Sequence, residues 1–212
     1  MKDSSIEEIW PLTPLQAGFL FHVIYDDQAA DVYTVQIGLD LDGKLNRAAL
    51  KAAAAHLLER HANLRVAIRH QGVPRPVQIV LRNVVLPWSE IDLSGEADQA
   101  AALERLQAQE RSRRFDITQP PLLRFVLVAL GQGRHRLLLL MHHLLLDGWS
   151  LPILLNELFM VYAGDALPPP VSYKRYLHWL LQRDRGAAEK AWREALAGLE
   201  GPTRLVPAHP GQ

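Results

Sequence analysis

The chain has 212 residues, 49% hydrophobic and 22% charged, with 23 basic side chains against 23 acidic ones. Those values suit one globular domain, or one lobe of a larger one, with a real core. The balanced charge gives no overall pull toward nucleic acid or an anionic membrane, and the lack of cysteine excludes disulfides, thiolate metal sites and a cysteine nucleophile. The opening "MKDSSIEEIW" has no signal-peptide core, and the apolar runs are too short for a membrane span. The expectation is a cytoplasmic protein with no membrane and no nucleic-acid partner.

In chain order, Thr13 is placed to cap a helix that starts at Pro14, with Gln16 completing a capping box and Leu15, Phe19 and Leu20 forming its apolar face. Residues 32–43 alternate apolar and polar side chains and read as a strand ending at Asp42-Gly43. Asn46 caps a helix from Arg47 to about His61 whose apolar face includes Leu50, Ala54, Leu57 and Leu58. "LRVAIRH" and "PVQIVLR" flank the Gly/Pro turn "QGVPRP" as a hairpin, and "VVLPWSEIDL" reads as a strand interrupted at Pro87. Residues 96–113 form a polar amphipathic helix, and Arg111, Arg113 and Arg114 form a small basic cluster at its end, read as a solvated helix end or as part of a docking surface.

Strands at 122–130 and 135–142 follow, joined by "GQGR"; the second is apolar on both faces, as a central strand covered on each side should be. Ser150 is placed to cap a helix running through Ala163, with Gly164 just past its end. "LPPP" breaks the chain, helices are expected near 172–184 and 186–198, and "EGPTRLVPAHPGQ" reads as a tail or linker. Helices mixed with mostly antiparallel strands place the chain in the α+β class, a central sheet flanked by helices.

The segment with chemistry in it is "LLLLMHHLLLDGWS", residues 137–150. Adjacent residues on an extended strand point to opposite faces. Two histidines at a strand end therefore have unequal surroundings, one turned inward and one free to face a cleft. A histidine poised near neutrality can accept a proton during reaction. Asp147 lies beyond a short apolar turn, close enough to fold back toward the histidines or toward a cation. A single histidine at such a place is commonly structural. A metal site needs three or more ligands with supporting groups, and no further cluster of that kind is present, so no metal is expected. A serine nucleophile is disfavoured because no G-x-S-x-G occurs. Ser150 is more simply a helix cap.

"MHHLLLDGWS" (141–150) closely resembles the HHxxxDG signature of condensation domains of nonribosomal peptide synthetases, within the chloramphenicol acetyltransferase-like superfamily. Four other segments agree in order and spacing. "PLTPLQAGFLFH" (11–22) is similar to the family's opening motif, and "RHANLRVAI" (60–68) to its RHxxLR segment. "RRFDITQPPLLRFVLV" (113–128) resembles its FDxxxxPLLR stretch, and "YKRYLHWL" (173–180) its Tyr-rich helix motif. The second lobe's motifs are absent.

The resemblance implies an N-terminal acyltransferase-like lobe over residues 1–171, with inter-lobe helices and a linker tail over 172–212. It implies amide formation by attack of an acceptor aminoacyl amine on a donor aminoacyl or peptidyl thioester. Both substrates would ride on phosphopantetheine arms of partner carrier domains, and this chain itself would bind no cofactor. The implied partners are donor and acceptor carrier domains, the second condensation lobe and an adenylation domain of the same assembly; a docking surface at Arg111, Arg113 and Arg114 would then be one for carriers. His143 matches the motif histidine that orients the acceptor amine, and His142 the inward one. Asp147 matches the motif aspartate, for which the family implies Arg65 as partner. Gly148 would permit close approach of the thioester oxygen to the backbone, and Trp149 would pack beside the site. "DGWS" fits condensation better than epimerisation, and the opening motif leans toward L-configured donors. Two other readings stand beside this one: a stand-alone acyltransferase of the same superfamily, and a non-catalytic module that docks carrier domains.

Overall fold

The computed structural model describes residues 6–25 and 31–201. The elements run β1 (Ile6–Pro11), α1 (Pro14–Tyr25), β2 (Thr34–Asp42), α2 (Arg47–Arg60), β3 (Val66–Arg69), β4 (Val77–Leu81), β5 (Trp88–Asp92), α3 (Gln99–Ser112), β6 (Leu123–Gly131), β7 (Arg134–His142), α4 (Ser150–Ala163), α5 (Tyr173–Leu181) and α6 (Arg185–Ala195). The chain divides into two compact units, Met1–Leu177 and His178–Gln212. The expected tail lies mostly beyond residue 201, outside the described residues. No described helix is long and apolar enough to cross a membrane.

The first unit holds two sheets. One has strand order β1-β4-β3, all antiparallel; the other has order β2-β7-β6-β5. In the second, β7 pairs antiparallel with β2 and β6, while β5 adds a parallel edge. The mixed class and the mostly antiparallel pairing follow the expectation. The partition into two sheets, and strand β1 itself, are not visible in the residue pattern. "IEEIWP" lacks clean alternation, and its pairing with β4 depends on distant sequence.

Strand β7 is central, as its composition requires. Leu137, Leu139 and Met141 enter the main core with Leu50, Leu57 and Leu58 of α2 and Leu154 and Leu158 of α4. Leu138 and Leu140 face a second cluster with Val126, Val128 and Ala102 of α3. Each such side chain contributes about 1.5–3 kcal/mol on full burial, so this strand is a rigid base for whatever follows it. The β6–β7 hairpin turns at Gln132-Gly133, where both residues have positive φ (53° and 74°), as a tight two-residue hairpin demands. At Gly38 an added Cβ would lie 2.7 Å from the Arg136 guanidinium, which crosses the strand there to reach Asp40.

Local caps explain most helix ends. Thr13 Oγ1 accepts the Gln16 N–H at 3.1 Å while Gln16 Oε1 accepts the Thr13 N–H at 2.9 Å, the reciprocal box read from the sequence. Asn46 and Asp98 cap α2 and α3. On α1, however, Leu15 is 63% exposed, and the buried residues are Gln16 and Leu20. Helix α4 is tied to the end of α2 by Glu157, which accepts from Arg60 Nε at 3.1 Å and pairs with the His61 ring. In the second unit, Asp184 caps α6 and Trp192 is 67% exposed.

Candidate functional site

Strand β7 ends at His142, between β2 and β6. The His142 N–H donates to Leu122 O and the next amide, of His143, donates to Tyr33 O, both at 2.9 Å. The two rings then diverge, as strand geometry requires. His142 is fully buried and His143 is half-buried, facing Phe19 of α1 with ring centroids 6.0 Å apart.

Hydrogen bonding gives the two imidazoles opposite tautomers. His143 Nδ1 lies 3.1 Å from Leu146 O. A carbonyl only accepts, so Nδ1 carries the proton and Nε2 of the neutral ring keeps its lone pair. His142 Nδ1 lies 3.0 Å from the Leu144 N–H. An amide only donates there, so Nδ1 is bare and the proton of the neutral ring sits on Nε2. The inward ring is thus a structural acceptor, and the outward ring presents a basic nitrogen.

The acidic residue closest to the buried ring is Asp31, which no sequence motif singles out. Its Oδ2 lies 3.5 Å from His142 Nε2, longer than a full hydrogen bond, and its side chain is 5% exposed. The carboxylate also accepts from the Tyr33 N–H at 3.0 Å and the Thr34 hydroxyl at 2.7 Å. Burial alone pushes the Asp31 carboxyl up; the facing His142 ring, the Thr34 hydroxyl and the Tyr33 N–H outweigh it and hold the group at about 2. A local signal does exist: an aspartate with a threonine three residues on, just before a strand, is a side-chain turn signature.

A depressed carboxyl stabilises the fold at pH values above its unfolded pKa, and that stability is lost as pH falls through the folded value. Asp31 is therefore expected to contribute about 2 kcal/mol at about pH 5 and above, disappearing between about pH 4 and pH 2. Chemical denaturation across that range should show this extra acid sensitivity in the native chain and lack it in Asp31→Asn.

A second buried anchor is Gln16. Besides its capping role, its Nε2 donates to Leu144 O at 2.8 Å and to Gln78 Oε1 at 3.0 Å. The peptide groups on both sides of Leu144 are therefore held, one by His142 and the other by Gln16. Burial of these polar atoms in a bonded network makes the turn after His143 hard to deform.

Three expectations about the surrounding residues need correction. Arg65 and Asp147 do not meet. Arg65 is buried, donating from Nε to Leu58 O at 3.1 Å and from Nη1 to Glu7 Oε2 at 2.6 Å and to Leu81 O. It binds β1 to the end of β4, away from the histidine turn. Asp147 is exposed, and its Oδ1 accepts the Ser150 N–H at 2.8 Å and the Ser150 hydroxyl at 2.7 Å. These bonds hold the Asp147 carboxyl below the usual carboxylate range. Asp147, rather than Ser150, supplies the side-chain acceptor at the start of α4, where the cap position itself is Trp149 with no side-chain bond. A carboxylate at the edge of an apolar segment is thus satisfied three residues along the chain, with no need for a distant cation.

An added Cβ at Gly148 would meet nothing within 4 Å, so no packing inside this chain demands glycine there. Trp149, expected to pack beside the site, is 87% exposed. Tyr173, from the Tyr-rich motif, packs on Trp10 with centroids 5.7 Å apart, and burial pushes its phenol up to about 12. His61, for which the sequence suggests no partner, joins Arg60 on Glu157.

Two sheets, with the central strand of one ending in paired histidines of opposite tautomer, frame the candidate site. A family profile described as condensation domain matches residues 6–211. The chain is 34% identical to bacitracin synthase 3 of Bacillus licheniformis, over 95% of this chain and 3% of that protein. It superposes on the starter condensation domain of rhizomide synthetase with a TM-score of 0.80, at 17% identity, over 92% of this chain and 50% of that one. A four-domain nonribosomal peptide synthetase bound to AMP and glycine gives a TM-score of 0.76, at 18% identity, over 91% of this chain and 15% of the other. The chain belongs to the condensation domain family.

Proposed function

We propose that this chain is the N-terminal lobe of a nonribosomal peptide synthetase condensation domain that makes a peptide bond. In this reading the nitrogen of an acceptor aminoacyl thioester attacks the carbonyl carbon of a donor aminoacyl or peptidyl thioester. The C–N bond forms, the C–S bond breaks, and the amine proton passes to the departing thiolate. The observation that carries the reading is the His143 tautomer. With Nδ1 committed to Leu146 O, Nε2 is the ring nitrogen available to accept the amine proton and to aim the lone pair of nitrogen.

Phosphopantetheine arms on donor and acceptor carrier domains would deliver the two thioesters, and the chain would hold no cofactor of its own. Gly148, open on its side-chain face, would let a thioester oxygen approach the backbone. The setting would be cytoplasmic, with a second lobe and an adenylation domain in the same assembly. In support, the chain spans half of the solved starter domain and a small part of the synthetases it matches.

A single-turnover assay with both carriers loaded tests this. The complete domain should transfer the donor acyl group onto the acceptor amine, giving an amide on the acceptor carrier. Residues 1–212 alone should be slower by at least about 100-fold, because one lobe cannot align both thioesters. Carrier binding without any amide formation by the complete domain would instead favour a docking module.

A further inference from the structure

Resting on the condensation reading, we infer that Asp31 is a positioning residue for His143: it fixes His142 as the Nε2–H tautomer, and its turn presents the Tyr33 carbonyl to the His143 amide. The chain of contacts is continuous. The Asp31 carboxylate faces His142 Nε2 at 3.5 Å, and the ring's other nitrogen accepts the Leu144 N–H at 3.0 Å. Asp31 Oδ1 holds the Tyr33 N–H at 3.0 Å, and Tyr33 O receives the His143 N–H at 2.9 Å. The two amides that flank the His143 residue, its own and that of Leu144, are thus both set from one carboxylate.

The tautomer is the sensitive link. If the His142 proton moved to Nδ1, it would point at the Leu144 N–H, placing two donors face to face in a site with no access to water. The amide would have to turn away, and the adjoining turn carries Leu146 O, the acceptor that orients the His143 ring. A negative charge near Nε2 favours the proton there. Asp31 is thereby a residue that never touches the reacting atoms yet decides where the reactive nitrogen points. Its own charge is kept by donors that do not depend on substrate, namely Tyr33 N–H and the Thr34 hydroxyl.

The experiment is long-range 1H–15N correlation of the histidine rings in the 212-residue chain, coupled to condensation by the complete domain. The native chain should show His142 as the Nε2–H form and His143 as the Nδ1–H form. Asp31→Asn is isosteric but places an amide donor or a neutral carbonyl where the carboxylate was. It should unfix the His142 tautomer, reduce the Nδ1–H fraction of His143 and lower kcat on the order of tenfold, with KM for loaded carriers little changed. Asp98→Ala serves as the control for stability alone, since it deletes the cap of α3 and none of the bonds around His142; it should lose stability and keep both ring patterns.

Native His142 seen as the Nδ1–H form would overturn the inference without any variant, so a poorly folding Asp31→Asn leaves it testable. Unchanged ring patterns and an unchanged rate in a folded Asp31→Asn would overturn it as well. Absence of condensation by the native complete domain would count against the functional reading only, because the ring patterns are read independently of turnover.

Discussion

His143→Ala in the complete domain is expected to lower single-turnover condensation by about 10²–10⁴-fold, the usual contribution of a positioned general base. Stability should change little. The ring is half-buried and among the described residues makes one hydrogen bond, to Leu146 O, whose loss costs about 1 kcal/mol. His142→Ala should behave in the opposite sense. That ring has no solvent exposure, and its removal would leave the Leu144 N–H and the Asp31 carboxylate facing a void. A thermal-unfolding loss of about 3 kcal/mol is expected, with a smaller loss of rate in the folded protein, because the Leu144 amide beside His143 is no longer held. An unchanged rate in His143→Ala at saturating acceptor would remove that ring from the chemistry.

Arg65→Ala should be among the most damaging substitutions in the lobe, costing about 3–5 kcal/mol by chemical denaturation. It strips a buried guanidinium from Glu7 and leaves the Leu58 and Leu81 carbonyls without their donor. The partner assignment is tested by two double-mutant cycles. Arg65 with Glu7→Gln should couple by about 1 kcal/mol or more, as contacting charges do. Arg65 with Asp147→Asn should be additive within about 0.5 kcal/mol, because the two side chains serve different neighbours. Asp147→Ala by itself should cost about 1 kcal/mol, the usual value of a helix N-terminal acceptor. Coupling between Arg65 and Asp147 would restore the pairing that the family resemblance implied.

Element type and order were legible because their causes are local. The Thr13–Gln16 box, the Asn46 cap and the Gln132-Gly133 turn each involve residues within a few positions of one another. Strand alternation likewise separates His142 from His143 without knowledge of the fold. Family motifs pointed to a reaction class and drew attention to the turn after β7. The pairing of Arg65 with Asp147, which the resemblance implied, does not form, because Arg65 is held by Glu7 and by the Leu58 and Leu81 carbonyls. Asp147 had a near alternative, the Ser150 amide and hydroxyl, which needs only one turn of chain to be ordered.

By itself the sequence determined that a buried apolar strand ends in two histidines with unequal surroundings, and that helices and strands surround it in this order. Only the tertiary structure decided which ring nitrogen is free, because each tautomer follows from a bond partner's donor or acceptor character. It also decided that Asp31 and Gln16, from segments far earlier in the chain, converge on the turn after β7. Strand β2 had to pair with β7 before the Asp31 turn could reach His142, and α1 had to dock before Gln16 could meet Leu144. Such meetings are set by register and packing of whole elements, which no local pattern of residues encodes.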